Sequence, residues 1–227
     1  MKKALVLLVF IFCVFLNIEA QEEKFKEPEA VTALRRIAAE KLNGKSYRVR
    51  ITSENRGDRK NLADYMFVET TTEFVPPDSF HTISRKAAAD SDLTRIETVR
   101  IGSRAFVKYN DENWKELPLP NPFGSGNGPA GFSSKAETTV EYQYIGRENI
   151  GNEVADLYRI KTVTKDKIND RQVTSTRTES FWFSADGLFL KIEDELVRDN
   201  LGLILQTVYE YQYDPKIKIE APVKNKN

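Results

Sequence analysis

Cysteine, histidine and long internal apolar runs are nearly missing from this chain of 227 residues, and each shortage excludes something. The one cysteine, Cys13, lies inside an N-terminal apolar run, so the rest of the chain can form no disulfide and must take its stability from packing and strand pairing. The one histidine, His81, has no cysteine beyond position 13 to join it. A zinc centre would need carboxylates for its other ligands, an uncommon set, and a histidine-based nucleophile would have to work from within a strand. His81 is therefore expected to be an ordinary strand or surface residue, and no metal, cofactor or catalytic group is expected. Beyond the first twenty residues, no apolar stretch is long enough to span a bilayer. An excess of one charge is lacking too, since 34 basic residues face 34 acidic ones. That balance gives no support for charge-driven binding to nucleic acid, and none is expected as a partner.

What is present begins with an export signal. Met1-Lys2-Lys3 is a basic start, Ala4 to Phe15 an apolar run, and Ile18-Glu19-Ala20 before Gln21 a usable signal-peptidase site. Residues 1–20 are expected to be a cleaved signal peptide, giving a periplasmic or extracellular protein that begins at Gln21. Phe12 precedes Cys13 where a lipoprotein cleavage site would carry a small residue, so the mature chain is expected to be unlipidated. Cleavage leaves 207 residues with 32 basic and 33 acidic side chains. That length suits one domain, expected over 21–222, followed by a disordered tail at 223–227.

From Pro28 to Leu42 the apolar spacing predicts a helix with Val31, Leu34, Ile37, Ala38 and Leu42 on one face, stopped by Asn43-Gly44. Everything after Gly44 reads as strands and turns. Strands are expected at Tyr47 to Thr52, Tyr65 to Val75, Phe80 to Arg85, Leu93 to Ile101 and Arg104 to Tyr109, with Gly102-Ser103 as a two-residue hairpin turn. Further strands are expected at Thr139 to Arg147, Glu153 to Lys165, Arg171 to Phe183, Leu188 to Arg198 and Leu203 to Tyr213, with a short last one at Lys216 to Glu220. Residues 117–137, LPLPNPFGSGNGPAGFSSKAE, have no period and carry four prolines and four glycines. A loop of that length inside a compact domain is commonly a lid, a binding segment or a linker. Phe123 and Phe132 have little reason to be in it unless they dock on an apolar surface.

Alternation assigns faces. Val140, Tyr142 and Tyr144 share a side, as do Val154, Tyr158 and Ile160, then Phe181 with Phe183, Leu190 with Ile192, and Tyr209 with Tyr211 and Tyr213. The opposite positions are polar, among them Glu141, Gln143, Arg159, Lys161, Glu193, Glu195 and Gln206. A one-sided meander follows, with one helix of roughly 22 Å to cover it. That helix is too small for the task. Either the sheet curls so that its halves cover each other, or an apolar hollow remains.

The order of one helix, the strand KSYRVRI, the hairpin VRIGSRAFVKYNDENWKEL, the strand and turn ESFWFSADGLFLKIE and the closing YEYQYDPKIKIEAP resembles the LolA/LolB/LppX-like superfamily of exported lipid and lipoprotein carriers. The resemblance implies a mostly β (α+β) fold, a curved antiparallel half-barrel of about ten or eleven strands with the N-terminal helix on its concave face. It implies a noncatalytic role, holding a lipid, acyl chain or lipoprotein in a hydrophobic cavity and carrying it between membranes. Val31, Leu34 and Ile37 would cover that cavity, with Phe123 and Phe132 at its mouth. Tyr142, Tyr144, Tyr158, Phe181, Phe183, Leu190, Tyr209 and Tyr211 would line it. Related half-barrels also serve as envelope protein-interaction or stress-sensing modules, which makes another envelope protein the alternative partner.

Chemical readings of the remaining motifs are weaker. Gly126-Asn127-Gly128-Pro129-Ala130-Gly131 fits G-x-G-x-x-G in letters, but it follows no strand and opens no amphipathic helix, so it reads as a loop and not as a dinucleotide site. Glu193 and Glu195 point the same way from one strand, about 6.5 to 7 Å apart, and two carboxylates on one solvated face do not flank a glycosidic bond. Trp182 is expected in the sheet core, whereas Trp114 borders the loop and fits either a core or a cavity-mouth position.

Overall fold

The computed structural model describes residues 28–56, 67–87, 94–117, 136–168, 171–199 and 202–222. The expected signal peptide at 1–20 and the expected tail at 223–227 lie outside them. Among the described residues one helix, α1 (Pro28–Leu42), precedes eleven strands: β1 (Tyr47–Asn55), β2 (Phe67–Val75), β3 (Ser79–Ala87), β4 (Thr94–Ile101), β5 (Arg104–Tyr109), β6 (Lys115–Leu117), β7 (Glu137–Ile150), β8 (Glu153–Ile168), β9 (Arg171–Ser184), β10 (Phe189–Arg198) and β11 (Leu203–Tyr213). All belong to one antiparallel sheet in the order β6-β5-β4-β3-β2-β1-β11-β10-β9-β8-β7. The sheet is curved and unclosed.

Its first and last strands, β1 and β11, pair in the middle, from Tyr47 opposite Tyr213 to Asn55 opposite Leu205. The two edges, β6 and β7, are successive in the chain. That central seam explains one departure from the expected strand list. Lys216 to Glu220 alternates like a strand, and Ile217 and Ile219 are half-buried between exposed neighbours, yet the segment joins no ladder. β11 already has β1 on one side and β10 on the other, so the chain leaving it meets no free edge. β6, only three residues long, is too short to carry a periodic signal.

The turns follow from local chemistry. Gly102 has φ +56°, the left-handed conformation that a two-residue hairpin between Ile101 and Arg104 requires. Gly187, at φ +70°, makes the β9–β10 turn, and Lys41 from the end of α1 donates a hydrogen bond from Nζ to the carbonyl of Asp186 in that turn. The helix is thereby anchored along β9 and β10.

α1 buries Val31 and Ala38 against Ile160, Phe181, Phe183 and Phe189, with Leu34, Leu42, Tyr142, Tyr158, Ile192 and Tyr211 packed around them. Ile37 does not join this face and is 40% exposed. At about 100° per residue it sits about 120° around the helix from the line through Val31, Ala38 and Leu42. Arg35, closer to that line, places its guanidinium 4.9 Å from the centre of the Phe181 ring.

The sheet is not one-sided. A bulge between Phe189 and Lys191 in β10 shifts the alternation by one. Phe189, not Leu190, therefore enters the helix-side cluster. Leu190 packs instead with Ala155, Leu157 and Trp182, a second cluster that also takes in Ile145, Ile150 and Tyr213. Trp182 is buried there, with its indole N–H donated to Glu148 Oε2 at 2.9 Å.

Candidate functional site

The helix-bearing face carries an unbroken chain of aromatic contacts. Tyr144 touches Tyr158 (ring centres 5.1 Å apart), Tyr158 touches Phe183 (5.8 Å), and Phe183 touches Phe189 (5.1 Å). Phe189 then stacks on Tyr211 (5.8 Å), Tyr211 meets Tyr47 (6.1 Å), and Tyr47 meets Phe74 (5.4 Å). These rings come from β7, β8, β9, β10, β11, β1 and β2 in turn. Six strand spacings amount to about 29 Å.

Helix cover is confined to one part of this surface. The cluster under α1 is drawn from β7 to β11, whereas Tyr47 and Phe74 lie beyond it and are half-buried. Next to them the same face carries hydroxyls that satisfy one another: Ser53 with Thr207 at 3.0 Å, Thr70 with Ser84 at 3.1 Å, and Thr72 with Thr82 at 3.1 Å. Paired in this way, the hydroxyls are occupied and their neighbouring methyl groups extend the apolar surface.

The phenols register the drying of this surface. Burial pushes the Tyr211 hydroxyl up to about 12. Burial also raises Tyr213, Tyr47 and Tyr209, the last with a further contribution from Asp194. Tyr144 is raised chiefly by its hydrogen bond to Asp156, 2.9 Å long.

Most of the expected lining residues meet on this surface: Val31, Leu34, Tyr142, Tyr158, Phe181, Phe183 and Tyr211 in or against the helix cluster, and Tyr144 on Tyr158. Tyr209 faces Ile192 and Ile51 on the same side. Ile37 and Leu190 lie elsewhere, as described above. Phe123 and Phe132 are outside the described residues, as is the whole of 118–135.

Two features escape the sequence reading. Tyr47 and Phe74 extend the aromatic chain past the seam, and only the pairing of β1 with β11 brings them there. A charged group also stands on this face: Arg177 grips Asp194 with Nε to Oδ1 at 2.9 Å and Nη2 to Oδ2 at 2.8 Å, and reaches Glu179 at 3.5 Å. Parity could have found it, because Arg177 and Glu179 share the side of Phe181, and Asp194 that of Ile192. His81 lies on the other face between two carboxylates, Glu97 at 2.8 Å and Glu73 at 3.6 Å. Among the described residues no group of three or more His, Cys, Asp or Glu is placed to hold a metal, and no helix is long and apolar enough to cross a membrane.

No protein-family model matches the chain, and no curated protein matches its sequence. Solved structures do. The lipoprotein LppX of Mycobacterium tuberculosis is 13% identical over 86% of this chain and 100% of its own, with a TM-score of 0.47. LprF from Mycobacterium bovis is 10% identical over 86% and 98%, with a TM-score of 0.44. A DUF1329 family protein from Desulfovibrio piger is 9% identical over 84% and 94%, with a TM-score of 0.29. Among the described residues the architecture is eleven antiparallel strands in an unclosed, curved sheet with one short helix at the start.

Proposed function

We propose that this chain is an exported, noncatalytic binding protein that holds an acyl chain or similar amphiphile, free or attached to a lipoprotein, against the helix-bearing face of its sheet, and carries it between membranes. The observation that supports this reading is the chain of rings that continues past the helix, from Tyr211 to Tyr47 and Phe74. An apolar surface of that extent on one sheet face calls for a cover, and an acyl chain lying along it would supply one. Val31 and Leu34 would form a fixed wall, Phe183, Phe189 and Tyr211 the floor beneath α1, and Tyr47 with Phe74 the open end.

The mechanism is solvent exclusion. Burying a chain of about sixteen carbons yields on the order of 12 kcal/mol gross at roughly 0.8 kcal/mol per methylene, before association and ordering reduce it. No bond is made or broken, so the surface needs shape and dryness only.

Organic-solvent extraction of protein purified from its own host, followed by mass spectrometry, tests the reading. A lipid recovered in constant proportion to protein supports it. Lipid-free protein that also takes up no fatty acid, but retains a defined envelope protein in a pull-down, supports the interaction or stress-sensing alternative instead.

A further inference from the structure

The face opposite the helix carries a second construction that lipid binding leaves unused. Strand register sets Lys161, Thr178 and Glu195 in one row across β8, β9 and β10, and Arg159, Ser180 and Glu193 in the next. Each row reads base, hydroxyl, acid. These six residues, with Glu141 and Gln143 of β7 on the outer side of the bases and Gln206 of β11 on the outer side of Glu195, line a hollow of about 480 Å³. The short side chains of β9 form its floor, and the long ones of β8 and β10 flank it, so the hollow is a trough along β9 whose nearer flanks are basic on β8 and acidic on β10, with Glu141 beyond the basic one. The wall backbones are two strand spacings apart, about 9.6 Å.

That separation keeps the walls from neutralising each other. Lys161 and Glu195 are exposed and make no ion pair with any described residue. Arg159 reaches only as far as the Ser180 hydroxyl, at 3.4 Å, and Glu193 is held by Lys191 on its own strand at 2.5 Å. Trp182, the next residue of β9 on this face, lies with the Lys191 ammonium 4.9 Å from its ring centre.

We propose that this trough binds an extended peptide segment of a partner protein whose side chains alternate acid and base. Walls and floor repeat every second residue, about 6.6 to 6.8 Å. An extended peptide presents both its same-side side chains and the N–H and C=O groups of one edge at that repeat. Set edge-on in the trough, it aims one backbone edge at the hydroxyls of Thr178 and Ser180. Its acidic side chains then face Arg159 and Lys161, and its basic ones face Glu193 and Glu195. A polyanion would meet the acidic wall and a polycation the basic wall, so only alternation satisfies both.

Fluorescence anisotropy at low salt tests this with two labelled, end-blocked octapeptides of equal composition. One alternates glutamate and lysine strictly, and the other carries all its glutamates first and all its lysines after them. The alternating peptide should bind at least about tenfold more tightly than the block one. Combining Lys161→Gln with Glu195→Gln should weaken it at least about tenfold while leaving the thermal melt unchanged, because both side chains are exposed. Thr178→Val, which keeps the shape and removes the hydroxyl, should weaken it as well. Equal affinity for the two peptides, no binding of either, or binding untouched by the double variant would overturn the proposal.

Discussion

Tyr47 faces Tyr213 across the seam between the first and last strands, with ring centres 6.3 Å apart, and the Tyr213 hydroxyl donates to the Phe189 carbonyl at 2.7 Å. Tyr213, which also packs against the cluster around Trp182, thus ties β1, β11 and β10 together at the seam, and the acidity of the phenols around it gives a first prediction. Unfolded, they ionise near pH 10. Folded, Tyr211 waits until about 12, and Tyr213, Tyr47 and Tyr209 are raised in the same direction by burial. Stability should therefore be full below about pH 10 and lost as the pH rises through about 12, since the unfolded chain gives up its protons first. Urea midpoints should hold steady from about pH 8 to 10 and fall above it; midpoints that stay level to about pH 12 would mean that these rings are wet.

The helix separates two residues that composition alone would treat alike. Val31 is fully buried and Ile37 is 40% exposed. Val31→Asp should cost on the order of 3 kcal/mol or prevent folding, because it places a carboxylate among Phe181, Phe183 and Ile160. Ile37→Asp should stay within about 0.5 kcal/mol of the parent in a urea melt.

Phe189 and Leu190 are neighbours that the bulge sends to opposite faces. Replacing either by Ala should destabilise by about 2 to 5 kcal/mol. Only Phe189→Ala should also weaken binding of a fatty-acid probe, since Leu190 packs with Trp182 away from the aromatic chain. Equal loss of probe affinity in both variants would mean that the effect is general loosening.

Gly187 holds a left-handed φ of +70° beneath Lys41. Gly187→Ala should cost about 1 to 2 kcal/mol through backbone strain. Its hydrogen-exchange signature should be faster exchange at the end of α1, because the turn that receives Lys41 is the anchor of that end.

Much of this architecture is legible in the chain because turn formers punctuate it. Gly102-Ser103, Asn149 to Asn152 and Asp186-Gly187 fall at strand ends, and alternation places Tyr142, Tyr158, Phe181 and Tyr211 on the side that α1 covers. What alternation cannot register is an inserted residue, so the bulge at Phe189 reverses Leu190. Nor does local periodicity encode which strands become neighbours. Only the β1–β11 seam brings Tyr47 and Phe74 to the aromatic surface and denies Lys216 to Glu220 an edge. Arg177, Glu179 and Asp194 escape for a different reason: parity read for apolar residues alone passes over charges that share their side. The polar positions of the other face follow from alternation, but their arrangement as facing walls depends on strand order.

The placement of an acyl chain on the aromatic surface is tested most directly by intermolecular nuclear Overhauser contacts between carbon-13-labelled palmitate and the protein's aromatic protons. Contacts from the methylene chain to Tyr47, Phe74 and Tyr211 are the expected result, with none to Trp182 on the opposite face. A stoichiometric complex whose contacts avoid those three rings, or no complex at all, would contradict the account.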